Sequence, residues 1–436
     1  MDMIRNKSKR ARHITNALAV FGAGALVFQT WRIALAVGGE PTKYRVDRRR
    51  LPPIDSEDFL QYVSALTDSP PQTSRISVLR NGERFYEAEL QAIREAKHSI
   101  NLEAYEFFPG EVTQDVLKAL SERAQAGVEV RVVIDAIGSF GTPGSYFDGL
   151  RQAGGRMVWY HPVNSKDWPY LNHRSHRKLL VADGQLGFIG GADFADHWLK
   201  ATKEGPAWRD TVLRVDGGTV SALNAVFAEN WLESTGEILA GKDQFQFAPL
   251  EAGVQAMIVS STPHGGTSRA RMLYQTLIEA ANESIHITTP YFVPDRSARK
   301  AILRAAKDRG AEVKILTVGP HSDHAMTRRL SRMFDKPLAA AGAEIYEYQP
   351  SMIHAKLMTI DGLWAVAGST NFDHRSFDLN DEVNILIRDR GLTAQIEEDF
   401  ARDLEQSRRL TLRSLKHADL ADRLVQDASW VLRREE

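Results

Sequence analysis

The feature that most constrains this chain is that it contains itself twice. SINLEAYEFFP (99–109) returns as SIHITTPYFVP (284–294), 185 residues later. Each copy follows an amphipathic helical pattern, at about 83–97 and 268–282, and precedes another, at about 112–126 and 296–309. Then come GVEVRVVID (127–135) and GAEVKILTV (310–318), β-branched runs of the kind that buried strands use. Chance explains one such match but explains an ordered series poorly, so the body reads as two tandem halves. Strand–helix–strand–helix order in each half predicts an α/β fold with mostly parallel sheets flanked by helices.

The series continues into residues that carry chemistry. HRKLLVADGQLGFIGGAD (176–193) is echoed by HAKLMTIDGLWAVAGSTN (354–371). In both, Lys follows His by two residues and Asp follows Lys by five, giving His176, Lys178, Asp183 and His354, Lys356, Asp361. Strand alternation puts His and Lys on one face and the Asp on the other. Asp-Gly between apolar runs predicts a hairpin. A two-residue loop at Asp361-Gly362 would set His354 opposite Ser369, with Asn371 just beyond. The same register brings His176 and Lys178 near Gly191 and Asp193. A lone His or Lys at a strand end is usually structural, but two copies with matching hairpin returns argue for a site. A nucleophile or acid, a cation and two neutral hydrogen-bonding groups are what a phosphodiester needs.

The formal charge of −1 conceals an asymmetry: residues 1–50 carry 11 Lys/Arg against 3 acids, and the remainder 44 against 53. An acidic body opposes binding to a nucleic acid, so none is expected as a partner. A basic head before the apolar stretch 14–39 points to a membrane. Its uncharged core, Ile14 to Trp31, is slightly short of the roughly 20 residues of a spanning helix, though Arg32 could snorkel. The stretch reads as an uncleaved anchor, with a cleaved signal peptide and an interfacial or buried helix as alternatives. Residues 1–50 therefore form a basic N-terminus with an apolar helix, and 51–74, with two Pro-Pro pairs, read as a linker. The halves span 75–245 and 246–415, and 416–436 reads as an amphipathic helix. Without cysteine, disulfides, thiolate metal sites and a Cys nucleophile are excluded.

The paired H-x-K-x4-D motifs resemble those of the phospholipase D superfamily, over roughly residues 75–415. NGERFYEAELQAI (81–93), IDAIGS (134–139), NHRSHRKLLVADG (172–184), WRDTVLRVDG (208–217), TTPYFVPD (288–295) and HRSFDLNDEVN (374–384) narrow the likeness to bacterial cardiolipin synthases. The resemblance implies two halves related by a pseudo-twofold axis, with one site built from both motifs. It also implies that His176 attacks phosphorus while His354 serves as acid and base. Lys178 and Lys356 would hold the phosphate, with Ser369 and Asn371 as neutral donors. Neither a cofactor nor a metal is implied. Asp210 and Glu382 are candidates for fixing the imidazole tautomers. Asp183 and Asp361 belong to the motifs but point away from their lysines, which favours a turn or ion-pair role over direct chemistry. Asp193 departs from the family, which often has Asn there; a carboxylate would oppose phosphate unless protonated, turned away or paired with Lys178.

The implied activity is phosphatidyl transfer at a bacterial cell membrane, by a single-pass or peripheral protein. Phosphatidylglycerol would be the acceptor and cardiolipin the product. Water as acceptor would make the chain a phospholipase D; a related nuclease and a non-catalytic scaffold are the other readings. His321, His324, Arg328, Arg329 and Arg332 form a partly helical segment that could meet lipid headgroups or face solvent. Trp168, Tyr170 and His173 precede the first motif and could line an acyl-chain entrance.

Overall fold

The computed structural model describes residues 44–163, 172–203, 205–241, 243–245, 250–262 and 268–416. The apolar stretch 14–39, Trp168, Tyr170 and the C-terminal helix beyond its first residue lie outside them. Among the described residues no helix is long and apolar enough to cross a membrane.

The strands in chain order are β1 (Gln72–Arg80), β2 (Ser99–Ala104), β3 (Glu129–Asp135), β4 (Arg156–Tyr160), β5 (Arg174–Ser175), β6 (Leu179–Ala182), β7 (Leu186–Gly190), β8 (Thr211–Gly217) and β9 (Val254–Ser261). There follow β10 (Ser284–Thr288), β11 (Phe292–Val293), β12 (Glu312–Val318), β13 (Glu344–Tyr348), β14 (Leu357–Ile360), β15 (Trp364–Gly368), β16 (Phe372–Asp373), β17 (Asn380–Arg388) and β18 (Ser407–Leu410). All but β11 and β16 join one sheet, in the order β18-β13-β12-β10-β14-β15-β17-β9-β1-β8-β7-β6-β2-β3-β4, with β5 on β17. Apart from β18, the order reads alike from either edge to the centre, where β1 meets β9 antiparallel.

A mixed sheet flanked by helices replaces the mostly parallel sheets expected. Parallel pairing is confined to β2-β3-β4, β10-β12-β13 and two short pairs, while each motif hairpin and the strand after it run antiparallel. The βα units demand crossovers and so give parallel neighbours; the Asp-Gly turns fold straight back and cannot.

Both hairpins also depart from the expected register. β6 pairs Ala182 with Leu186 and β14 pairs Ile360 with Trp364, so three residues connect the strands rather than two. Asp183, Gly184, Asp361 and Gly362 all have φ between 52° and 62°, the left-handed conformation that Asp and Gly tolerate best.

The linker expected over 51–74 is instead built structure. Ser56 caps a helix over Glu57–Thr67, accepting from the Phe59 N–H at 3.1 Å. Its Phe59, Leu60 and Val63 are buried, and Phe59 meets Trp364 edge-on at 5.6 Å. The prolines end at the helix rather than precluding it.

One apolar core lies in each half, around Ile100, Leu120 and Trp198 and around Ile285, Ile315 and Trp364. A third draws Leu179, Leu213 and Phe227 together with Leu357, Ile385 and Ile396. This shared core and the β1–β9 ladder join the described residues between 44 and 416 in one compact unit.

Candidate active site

The two motifs are brought together by reciprocal backbone pairing. Ser175 of β5 lies beside Asp381 of β17, and the His176 N–H donates to the Asp381 carbonyl at 2.9 Å. Ile353 pairs with Arg209 in the same parallel sense, and the His354 N–H donates to the Arg209 carbonyl at 2.7 Å. Each histidine is thus seated on a segment of the other half, one residue before an acid of that half.

Those acids are Glu382 and Asp210, and both expected pairings are made, crosswise. His176 Nδ1 lies 3.0 and 3.1 Å from the Glu382 carboxylate oxygens, and His354 Nδ1 lies 2.9 Å from Asp210 Oδ2. All four side chains are buried. With Nδ1–H donated to a carboxylate, each ring keeps its Nε2 lone pair for chemistry. Burial and then the fields of Lys178 and Lys356 hold His176 well below its ordinary pKa. Burial and Lys356 bring His354 down to about 3, against the upward pull of Asp210. Both rings are neutral in the substrate-free state, as a nucleophile and a base require.

The two carboxylates differ. Burial pushes Glu382 up to about 7, partly offset by the Ser369 hydroxyl, which donates to Glu382 Oε2. Asp210 is pushed up by burial but ends below its ordinary value, because the His354 hydrogen bond and Lys356 outweigh that cost. The Thr211 N–H donates to Asp210 Oδ1 at 2.7 Å, and the Trp198 indole donates to Oδ2 at 3.0 Å. Gly191 occupies the place that corresponds to Ser369. A Cβ there would come within 2.5 Å of Asp210 Oδ1 and 2.9 Å of the His354 carbonyl, so glycine permits the close approach.

Lys178 and Lys356 are buried and each donates to the carbonyl of its own histidine, at 2.9 and 2.6 Å. Lys356 Nζ also lies 2.8 and 2.9 Å from the His354 ring nitrogens, and burial brings its pKa down to about 8. Lys178 Nζ instead meets Asp193 Oδ2 at 3.1 Å and the Tyr105 ring at 5.1 Å. Asp193 is therefore paired with the lysine, and it also accepts from the N–H groups of Tyr105, at 2.8 Å, and Glu106. Its counterpart Asn371 is buried, and its Oδ1 has no hydrogen-bond partner among the described residues. The uncharged Asn371 does not oppose a phosphate as a carboxylate would, whereas Ser369 is not the free donor expected: its hydroxyl donates to Glu382.

The carboxylates of Asp183 and Asp361 are turned to backbone amides. Asp183 accepts from the N–H groups of Lys97, His98 and Ser99, at 2.7 to 2.9 Å. Asp361 takes those of Asn282, Glu283 and Ser284, at 2.8 to 2.9 Å. Each aspartate satisfies the orphan amides where a helix passes into β2 or β10. Arg328 and Arg332 are both held on the buried Glu347 at 3.0 Å.

Three aromatic residues were not anticipated. Trp198 and Trp208 flank the His354 ring at 5.4 and 5.3 Å, and Tyr105 meets the His176 ring edge-on at 5.2 Å. Tyr105 lies just past β2, where open α/β sheets place ligands; that position was legible once β2 was drawn.

Two histidines, each with a lysine two residues on and a carboxylate lent by the other half, define a centre of the phospholipase D class. The family model described as cardiolipin synthase, PLD-like domain, matches residues 90–208 and 274–404, and the chain belongs to that family. It is 35% identical to the probable cardiolipin synthase YwiE of Bacillus subtilis, over 80% of this chain and 70% of that one. It is 34% identical to the cardiolipin synthase of a Geobacillus species, over 86% and 75%. Among solved structures it is similar in fold to the phosphatidylserine synthase of Haemophilus influenzae, with a TM-score of 0.65 at 16% identity, covering 86% and 98%.

Proposed function

We infer that the chain is a phosphatidyltransferase of the cardiolipin synthase kind, working through a phosphohistidine. The crossed pairs His176–Glu382 and His354–Asp210 carry this reading, because they tie both motifs into one centre with two neutral imidazoles. The strand order, alike from both edges to the β1–β9 junction, supports two tandem halves about a pseudo-twofold axis.

With a phosphate anion bound beside it, His354 takes up a proton at Nε2; His176 Nε2 then attacks phosphorus as the P–O bond to the departing alcohol breaks, and His354 passes that proton to the alcohol's oxygen. His354 then takes the proton of the incoming hydroxyl, whose oxygen displaces His176. Lys178 and Lys356 offset the phosphate charge, and the Asn371 amide offers a neutral donor. Donor and acceptor are phospholipids, with phosphatidylglycerol as the acceptor that gives cardiolipin. The apolar stretch 14–39 is proposed to hold the protein at a bacterial membrane.

Detergent-purified protein incubated with labelled phosphatidylglycerol should yield cardiolipin and glycerol by mass spectrometry. Phosphatidic acid as the sole product would replace the synthase reading with hydrolysis. Rapid quenching into neutral denaturant should trap the labelled phosphatidyl group on His176. Label that persists in His176→Asn and disappears in His354→Asn would reverse their roles.

A further inference from the structure

Glu106 is a carboxylate in a centre built for anions, and the mechanism above does not use it. It follows Tyr105 at the end of β2, and its carbonyl accepts from the Phe194 N–H at 3.1 Å. Its side chain is 25% exposed, so it stands at an opening of the site. Successive side chains diverge: Tyr105 goes to His176, while Glu106 Oε2 lies 3.8 Å from His197 Nε2. The His197 ring packs on Trp208 and Trp198 at 4.0 and 4.2 Å, the two indoles that flank His354. Glu106 therefore faces the His354 side, where an alcohol must leave and another must arrive.

The other acids near the centre are saturated: Asp210 by Thr211, Trp198 and His354, Asp193 by Lys178 and two amides. Glu106 accepts no hydrogen bond from a described side chain, its contact with His197 being longer than one. The repeat sharpens the point. Its counterpart 185 residues on is Tyr291, whose hydroxyl is committed to Asp323 at 2.6 Å. Burial and the neighbouring Asp193 charge push Glu106 up to about 8, the cost of a carboxylate awaiting a donor.

We propose that Glu106 is a specificity-determining residue that accepts a hydrogen bond from a second hydroxyl of the headgroup alcohol on the His354 side, selecting a polyol over a simple alcohol. A glycerol headgroup has such a hydroxyl beside the one that reacts. A cationic headgroup suits the place less, because Lys178 and Lys356 both lie within reach of Glu106's field. The inference rests on the phosphatidyl-transfer reading.

The test supplies isotope-labelled glycerol, 1-propanol and ethanolamine as competing water-soluble acceptors to the full chain, with unlabelled phosphatidylglycerol as donor in mixed micelles, so that transfer to glycerol appears as labelled phosphatidylglycerol. Wild type should favour glycerol over 1-propanol. That ratio should fall about tenfold in Glu106→Leu and less in Glu106→Gln, which keeps an acceptor oxygen, in line with one hydrogen bond. If Glu106→Leu fails to fold, the Gln ratio and its KM for glycerol still decide. Equal losses on glycerol and 1-propanol would overturn the proposal, as would selective loss of ethanolamine transfer. Wild type giving phosphatidic acid alone would overturn the transfer reading instead. Glu106 would then be judged on donors, by the ratio of phosphatidylglycerol to phosphatidylpropanol cleavage, where an unchanged ratio in Glu106→Leu refutes it.

Discussion

Replacing Asp210 by Asn keeps the shape of the side chain and removes a charge from the opposite half of the molecule to the histidine it serves. Both carboxylate oxygens already accept from fixed donors, Oδ1 from the Thr211 N–H at 2.7 Å and Oδ2 from the Trp198 indole at 3.0 Å. The new amide nitrogen must therefore face a donor whichever way it turns. Placed at Oδ2, it opposes Trp198 and forces His354 to accept at Nδ1, so that the proton moves to Nε2 and the base is lost. Placed at Oδ1, it orphans the Thr211 amide, at a cost of about 1–3 kcal/mol. In either orientation the imidazolium loses a charge-assisted partner worth about 1.5–3 kcal/mol. His354 is already down at about 3, and Asp210 is what raises it, so the substitution weakens the base further. Together these give about 3–4 kcal/mol of transition-state loss, or a fall in kcat of roughly 10²- to 10³-fold. Initial rates of cardiolipin formation in mixed micelles measure it, alongside melting to confirm folding. A kcat within threefold of wild type in folded Asp210→Asn would refute the claim that Asp210 orients His354. Adding Trp198→Phe removes the competing donor, so the double variant should lose less than the sum of the single losses.

Gly191→Ala should reproduce much of that loss with every polar side chain retained, since its Cβ would stand 2.5 Å from Asp210 Oδ1 and displace it; kcat should fall at least about tenfold. Asp361→Ala strips three N–H groups of their acceptor and should cost about 2–3 kcal/mol of stability, read by denaturant titration. Asp183 is less buried, so Asp183→Ala should cost less; a larger loss there than at Asp361 would contradict this account. In pH profiles of kcat/KM, activity should rise as Glu382 ionises near 7 and fall as Lys356 loses its proton near 8. Glu382→Gln should abolish the acid limb and leave the alkaline one.

The division between what was legible in the sequence and what was not follows the range of the interactions. The repeat located both histidines, both lysines and the strands that carry them, because those depend on local patterns a short window contains. Asp210 and Glu382 were legible as candidates through their equivalent places in the two copies. Their crossing was not, because it depends on Ser175 pairing with Asp381 and Ile353 with Arg209, contacts between halves that no periodicity encodes. The hairpin error has the opposite cause. Asp-Gly announces a turn, but whether two or three residues connect the strands is set by left-handed φ at both positions and by amides that each aspartate must reach. One residue of slip changed the fate of Ser369, expected to face phosphate and found holding Glu382. Seen this way, the halves diverge at a single matched place. The second half has Ser369 beside Glu382, and the first has Gly191 beside Asp210, where Trp198 supplies the missing donor. A hydroxyl tempers one carboxylate whose pKa stays near 7, while an indole and an amide stabilise the ionised form of the other. Two histidines on matching scaffolds are thereby given unequal partners, which is what a reaction with one nucleophile and one acid–base requires.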